Sequence, residues 1–105
     1  ESDGSGMYMP QALWTQAREQ LDILTIVFAN RTYQILRNEM RNVGVAPRGP
    51  KAETLTDIGK PPIDWMALAR AFGVEAFRAA TAEELSRHID AGLALRGPVV
   101  IEVVL

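Results

Sequence analysis

The stretch Ile23-Leu24-Thr25-Ile26-Val27-Phe28-Ala29 constrains this chain more than any other. It is short for a helix, rich in β-branched and aromatic residues, and lacks polar alternation, so it reads as a strand covered on both faces. That pattern belongs to parallel sheets, whose successive strands are joined by helical crossovers. The flanking sequence supplies such helices. Ala12, Leu13, Ala17 and Leu21 recur at helical spacing beside Trp14 over residues 11–21, behind a Pro10 suited to a first turn. Tyr33, Ile35, Leu36, Met40 and Val43 do the same over 32–43, and Gly44 is placed to end that helix.

Residues 45–63 break the pattern. Pro47, Gly49, Pro50, Gly59, Pro61 and Pro62 punctuate a stretch without periodicity, which reads as a long loop, either a lid or a poorly ordered segment. Asp64 then caps a helix through Trp65, Leu68, Ala69 and Phe72 to Gly73, and a short strand follows at 74–79. Thr81-Ala82-Glu83-Glu84 is a capping box that opens a helix through Leu85, Ile89 and Leu93. After Gly97-Pro98, Val99-Val100-Ile101-Glu102-Val103-Val104 forms a last, nearly apolar strand. The alternation predicts an α/β fold: a three-layer parallel sheet with strands near 23–29, 74–79 and 99–104, helices on both faces and right-handed crossovers. Only three strands are visible, and the first residues read as the loop that follows a strand, so residues 1–105 are expected to be one portion of a larger domain.

Composition narrows the chemistry. The 105 residues, 48% hydrophobic and 23% charged, suit a single domain. The lack of cysteine excludes disulfides, thiolate metal sites, iron-sulfur clusters and a cysteine nucleophile. With His88 the single histidine, multi-histidine zinc or copper sites drop out too, which leaves hard cations on oxygen ligands. Eleven basic residues against thirteen acidic ones, with no basic block, argue against a nucleic-acid partner. The longest apolar run is seven residues, whereas a membrane span takes about 20, so no membrane association is expected. The amino end lacks the charge and apolar run of a secretory signal, and the reading is cytoplasmic.

In open parallel sheets ligands sit beyond the carboxyl ends of the strands, where helix amino ends attract anions. Two such places stand out. Asp3-Gly4-Ser5-Gly6 offers a carboxylate followed by small residues whose amides can approach a phosphate, and Ala29-Asn30-Arg31-Thr32-Tyr33 lies at the end of the Ile23 strand. An acidic oxygen and an amide oxygen are what a magnesium ion uses when it also holds a diphosphate.

Asp-Gly-Ser, then Ala12-Leu13-Trp14-Thr15, then an asparagine 27 positions after the aspartate, resembles the thiamin diphosphate motif of acetolactate synthase-like enzymes and the related benzoylformate decarboxylases. Asp64-Trp65 to Gly73-Val74, Thr81 to Glu84, and Arg96 to Glu102 resemble the same family to its carboxyl end. The resemblance implies the later part of a diphosphate-binding domain. It would make Asp3, the Asn30 side chain and the Thr32 carbonyl the magnesium ligands, with Gly4 and Ser5 on the diphosphate and Tyr33 close by. Ser2 stands where the family has glycine, and the domain that activates the cofactor lies outside these residues, so no catalytic residue is assigned. The parent is expected to be a homo-oligomer that decarboxylates or ligates a small 2-keto acid, by ylid addition, loss of carbon dioxide and transfer of the carbanion equivalent. Acetolactate synthase chemistry is the first expectation and benzoylformate decarboxylation the second. A non-catalytic diphosphate-binding or interaction module is a further alternative.

Five more residues have a plain reading. Trp14 and Trp65 fall among apolar residues and read as core, and His88 as a solvated surface residue. Arg48 and Lys51 in the long loop read as solvated, with an anionic ligand as the alternative.

Overall fold

The computed structural model describes residues 1–45 and 49–105. Its centre is a parallel sheet of β1 (Leu24–Ala29), β2 (Glu75–Ala79) and β3 (Val99–Val104) in the order β1-β3-β2. Leu24 and Glu75 both align with Val99, so the three strands run level from their first residues. Alternation along the strands then divides the side chains. Val27, Ala29, Ala76 and Val100 face one way, against Leu13 of α2 (Ala12–Arg18) and Trp65 and Ala69 of α5 (Trp65–Ala71). Ile26, Phe77, Ala79, Ile101 and Val103 face the other, against Leu85 and Ile89 of α6 (Ala82–Ala94). The expected three layers and all three strands are present.

The caps follow the sequence. Asp64 accepts a hydrogen bond from the Ala67 amide at 3.0 Å, and Thr81 accepts one from Glu84 at 3.2 Å. The Glu84 carboxylate accepts from Ala80 at 2.8 Å, one residue earlier than a strict capping box, and that bond holds its pKa below the usual glutamate value.

Several expectations are corrected. The Ile23 strand is not covered on both faces: β1 is an edge strand, with Phe28 42% exposed, while β3 takes the centre and is buried from Val99 to Val103. The 45–63 segment is not all loop, because Pro50–Thr56 forms a helix, α4, with proline in its first turn. Trp14 is not core but half exposed, with the Arg18 guanidinium 5.4 Å from its ring centroid. His88 is half-buried and stacks on Phe77, with centroids 4.9 Å apart and ring planes 9° from parallel. Arg48 lies outside the described residues.

α3 (Gln34–Asn42) buries no residue, and its Ile35 is 69% exposed. The Cα radius of gyration is accordingly 15.7 Å, above the about 13 Å of a compact chain of this length. At the centre, Glu102 is buried on β3 and accepts from Arg78 of β2, through Nε at 2.9 Å and Nη2 at 2.8 Å. Among the described residues no helix is long and apolar enough to cross a membrane.

Candidate functional site

The Phe28 amide donates to the Glu1 carbonyl and the terminal amine donates to Ile26, both at 2.8 Å, so residues 1–2 run parallel to the end of β1. Asp3 thereby arrives at the carboxyl edge of the sheet. Ser2 has φ −95° and ψ 159°, ordinary extended backbone that needs no glycine. Its hydroxyl accepts from the Ser5 amide at 3.4 Å and caps a single helical turn, α1 (Asp3–Gly6).

Asp3 is buried, at 2% exposure. One carboxylate oxygen accepts from Gly4 at 3.0 Å and the other from the Arg31 amide at 2.6 Å. No ion pair neutralises it among the described residues. A buried carboxylate normally has a cation or a full set of donors, so this one is under-compensated. The Arg31 amide reaches it because Arg31 adopts φ 57°, a left-handed conformation that non-glycine residues rarely take. In the same loop the Asn30 Oδ1 accepts from Thr32 at 3.0 Å. The Thr32 carbonyl accepts no backbone hydrogen bond among the described residues.

The segment expected to be a loop secures the second half of the site. The Thr56 carbonyl accepts from the Thr32 hydroxyl at 2.8 Å and the Tyr33 amide at 2.9 Å. Thr56 itself is buried: its hydroxyl donates to Ala52 at 2.8 Å and accepts from Arg37 Nε at 2.9 Å. Thr56 is a site-supporting residue that periodicity could not single out. Gly49 followed by Pro50 was the signal that would have found its helix.

Gly4, Ser5, Asn30, Thr32 and Tyr33 line one cleft of about 290 Å³, together with Ser2, Tyr8, Gln34 and Ile35. Asp3 is joined to it through the Arg31 amide rather than lining it. Ser5 is exposed and donates its hydroxyl to the Glu1 carboxylate at 2.7 Å. Lys51 sits on the exposed side of α4, outside the cleft. A larger groove of about 540 Å³ lies at the opposite ends of the strands, beside Asp22 and Arg96 and away from all these residues.

The glycines of α1 are shaped by aromatic rings. A Cβ on Gly4 would fall 2.7 Å from the Tyr33 ring, and one on Gly6 would fall 2.6 Å from Cη2 of Trp65. Sequence reasoning gave Gly4 to a phosphate alone and read Trp65 as core, with substrate stacking as the lesser alternative and no part in the α1 turn.

Residues 2–103 match the family described as thiamine pyrophosphate enzyme, C-terminal TPP binding domain. The chain belongs to this family. It is 46% identical over 105 residues to IlvX of Mycobacterium tuberculosis, a protein named for the acetolactate synthase large subunit, covering 99% of this chain and 20% of that protein. It is 39% identical over 101 residues to benzoylformate decarboxylase of Pseudomonas aeruginosa, covering 96% and 18%. Among solved structures, the thiamine diphosphate-dependent 4-hydroxybenzoylformate decarboxylase of Rhodococcus jostii superposes with a TM-score of 0.84 at 31% identity, over 96% of this chain and 18% of that one. The chain therefore spans about a fifth of the length of the relatives it matches. It is a thiamine pyrophosphate-binding domain of the type found in acetolactate synthases and benzoylformate decarboxylases.

Proposed function

We propose that this domain holds the diphosphate end of thiamin diphosphate through a magnesium ion, within a parent enzyme that decarboxylates or ligates 2-keto acids. The observation that carries the reading is Asp3. A carboxylate at 2% exposure, paired only with two backbone amides, has capacity for a cation, and the Asn30 amide oxygen and Thr32 carbonyl lie in the loop bonded to it. An oxygen-only set of one charged and two neutral donors fits a hard divalent ion that completes its shell with diphosphate oxygens and water.

Each residue then has a role. Asp3 supplies the fixed negative charge, Asn30 and Thr32 the neutral oxygens, and Gly4 and Ser5 the amides and hydroxyl facing the diphosphate, with Tyr33 walling the cleft. When bound, the cofactor supplies a nucleophilic carbon that adds to a keto carbonyl and takes up the electron pair as carbon dioxide leaves. The chain's own part is to bind and orient.

The higher identity to IlvX favours acetolactate synthase-type ligation, and the likeness to the two decarboxylases supports benzoylformate-type decarboxylation as the second reading. The parent is also proposed to be a homo-oligomer, because Phe28, Ile35 and Leu36 leave apolar surface uncovered.

Titration calorimetry of the full-length parent at two magnesium concentrations tests the site. Asp3→Ala should lower thiamin diphosphate affinity by about 10 to 100-fold, beyond rescue by added magnesium. Asn30→Ala should lose less and be partly rescued. Thr32→Ala keeps its carbonyl and should bind nearly normally. Unchanged affinity in Asp3→Ala would end the assignment. Turnover of pyruvate against benzoylformate separates the two reactions, and the isolated 105-residue chain should show neither.

A further inference from the structure

Trp65 lies outside the cleft that the magnesium reading uses, yet it is the residue on which the α1 turn rests. It is buried at 2% exposure in the face of the core that holds Leu13, Val27 and Val100. Its ring comes so near Gly6 that the missing Cβ would sit 2.6 Å from Cη2 and 3.1 Å from Cζ2. Contacts below 3.0 Å do not survive in a packed core, so nothing larger than glycine fits while the ring stays where it is. Its Nε1 is buried and has no hydrogen-bond partner among the described residues.

What fixes the ring is the start of α5. Asp64 caps that helix, accepting from Ala67 at 3.0 Å. It also lies 3.5 Å from Nη2 of Arg78, whose guanidinium grips buried Glu102 on the central strand. The links thus run from the middle of the sheet, through Arg78 and Asp64, to the helix start that carries Trp65, whose ring meets the end of the turn that opens with Asp3.

We infer that Trp65 is a positioning residue, whose ring sets the height of the α1 turn through its contact with Gly6 and so places Asp3, Gly4 and Ser5 toward the magnesium diphosphate. This rests on the reading of the site given above. Trp65 touches neither the cation nor the cofactor in this account. Its effect passes through the backbone of residues 3–6.

The contact can be tested by exchanging volume across it in the full-length parent. Gly6→Ala should clash with the ring, lift the turn and weaken thiamin diphosphate binding about tenfold or more, as overpacking by one methyl does in a rigid core. Trp65→Phe removes the outer ring atoms and should cost only about three-fold. With both changes the alanine methyl occupies the space that Cη2 vacated, and affinity should return to within about three-fold of the unaltered protein. Amide hydrogen exchange supplies the second readout. In Gly6→Ala, exchange should accelerate at residues 3–6 while β1 and β3 stay protected, and the double variant should restore protection.

Losses that simply multiply in the double variant, with Asp3→Ala still abolishing tight binding, would overturn the positioning role and leave the magnesium site standing. Unchanged binding in Asp3→Ala would instead remove the site reading itself. If exchange in Gly6→Ala rose across β1 and β3 together, the contact would be one of general stability, and the inference would fail.

Discussion

As strings of residues, β1 and β3 are nearly interchangeable: six residues each, β-branched and apolar, both suited to burial on two faces. Their surroundings differ. β3 has a strand on either side and a helical layer on each face, and it is buried from Val99 to Val103. β1 has β3 on one side and, among the described residues, residues 1–2 on the other, and Phe28 stands 42% exposed. Apolar patterning states what a strand can tolerate, and the neighbours decide how much of that tolerance is used. The site follows β1, because its carboxyl end leads into the loop 30–33 and residues 1–2 run beside it, so that the loop and the α1 turn meet at Asp3.

The widest gap between the two strands should appear on truncation. Ile101→Ala, at a position with 0% exposure, should cost about 2 to 5 kcal/mol in urea unfolding. Phe28→Ala removes a larger side chain from the edge and should cost under about 1.5 kcal/mol, because much of the ring already meets water. Equal losses would mean that the edge is covered in solution, and light scattering would then show self-association.

A smaller effect concerns the one charge inside β3. Arg78→Met leaves Glu102 buried without its cation and should destabilise by about 2 kcal/mol, less than for a fully buried pair since Arg78 is half exposed. Adding Glu102→Leu should recover most of the loss. A neutral result for Arg78→Met alone would show that water reaches Glu102 and that β3 is less enclosed than its burial implies.

The mildest effect lies where the two strands begin. Asp22, just ahead of β1, accepts from the Gly97 amide at 2.7 Å and from Arg96 at 2.8 Å, ahead of β3. The Gly97 bond first, then Arg96, holds its pKa below the usual aspartate value. The stabilisation is therefore complete above the ordinary aspartate value and is lost as pH falls through the lowered one. Asp22→Asn should flatten this acid limb in unfolding measurements between about pH 2 and 5, and an unchanged limb would show that the link does not hold the strand entries together.

Much of the fold could be read in advance for a local reason. The strand runs, the Asp64 and Thr81 caps and the Gly73 stop act within a few residues of themselves. α4 was hidden because Pro50, Gly49 and Pro47 look like loop punctuation, although Pro50 was a helix start. The strand order was hidden too, since nothing local places the last strand, β3, between β1 and β2. For the site, Asp3 and Asn30 stood out because they fall at predicted strand ends, whereas Thr32 was named through the family resemblance alone. Thr56, Trp65 and the ring contacts at Gly4 and Gly6 were not, since they depend on packing between segments far apart in sequence.

Those ring contacts bear on how such a chain can change over generations. Gly49 has no atom of the described residues within 4 Å of where a side chain would begin and carries no unusual backbone angle, so none of them bars a replacement there. Gly44 and Gly97 have equal room among the described residues but left-handed backbone, at φ 81° and 93°, and admit few substitutes on their own account. Gly4 and Gly6 answer to other residues. An alanine at 6 becomes viable once the ring at 65 has shrunk, and one at 4 once Tyr33 has moved or been lost. Substitutions at 6 and 65 should therefore arise as pairs in any lineage carrying this domain, with the aromatic residue changing first.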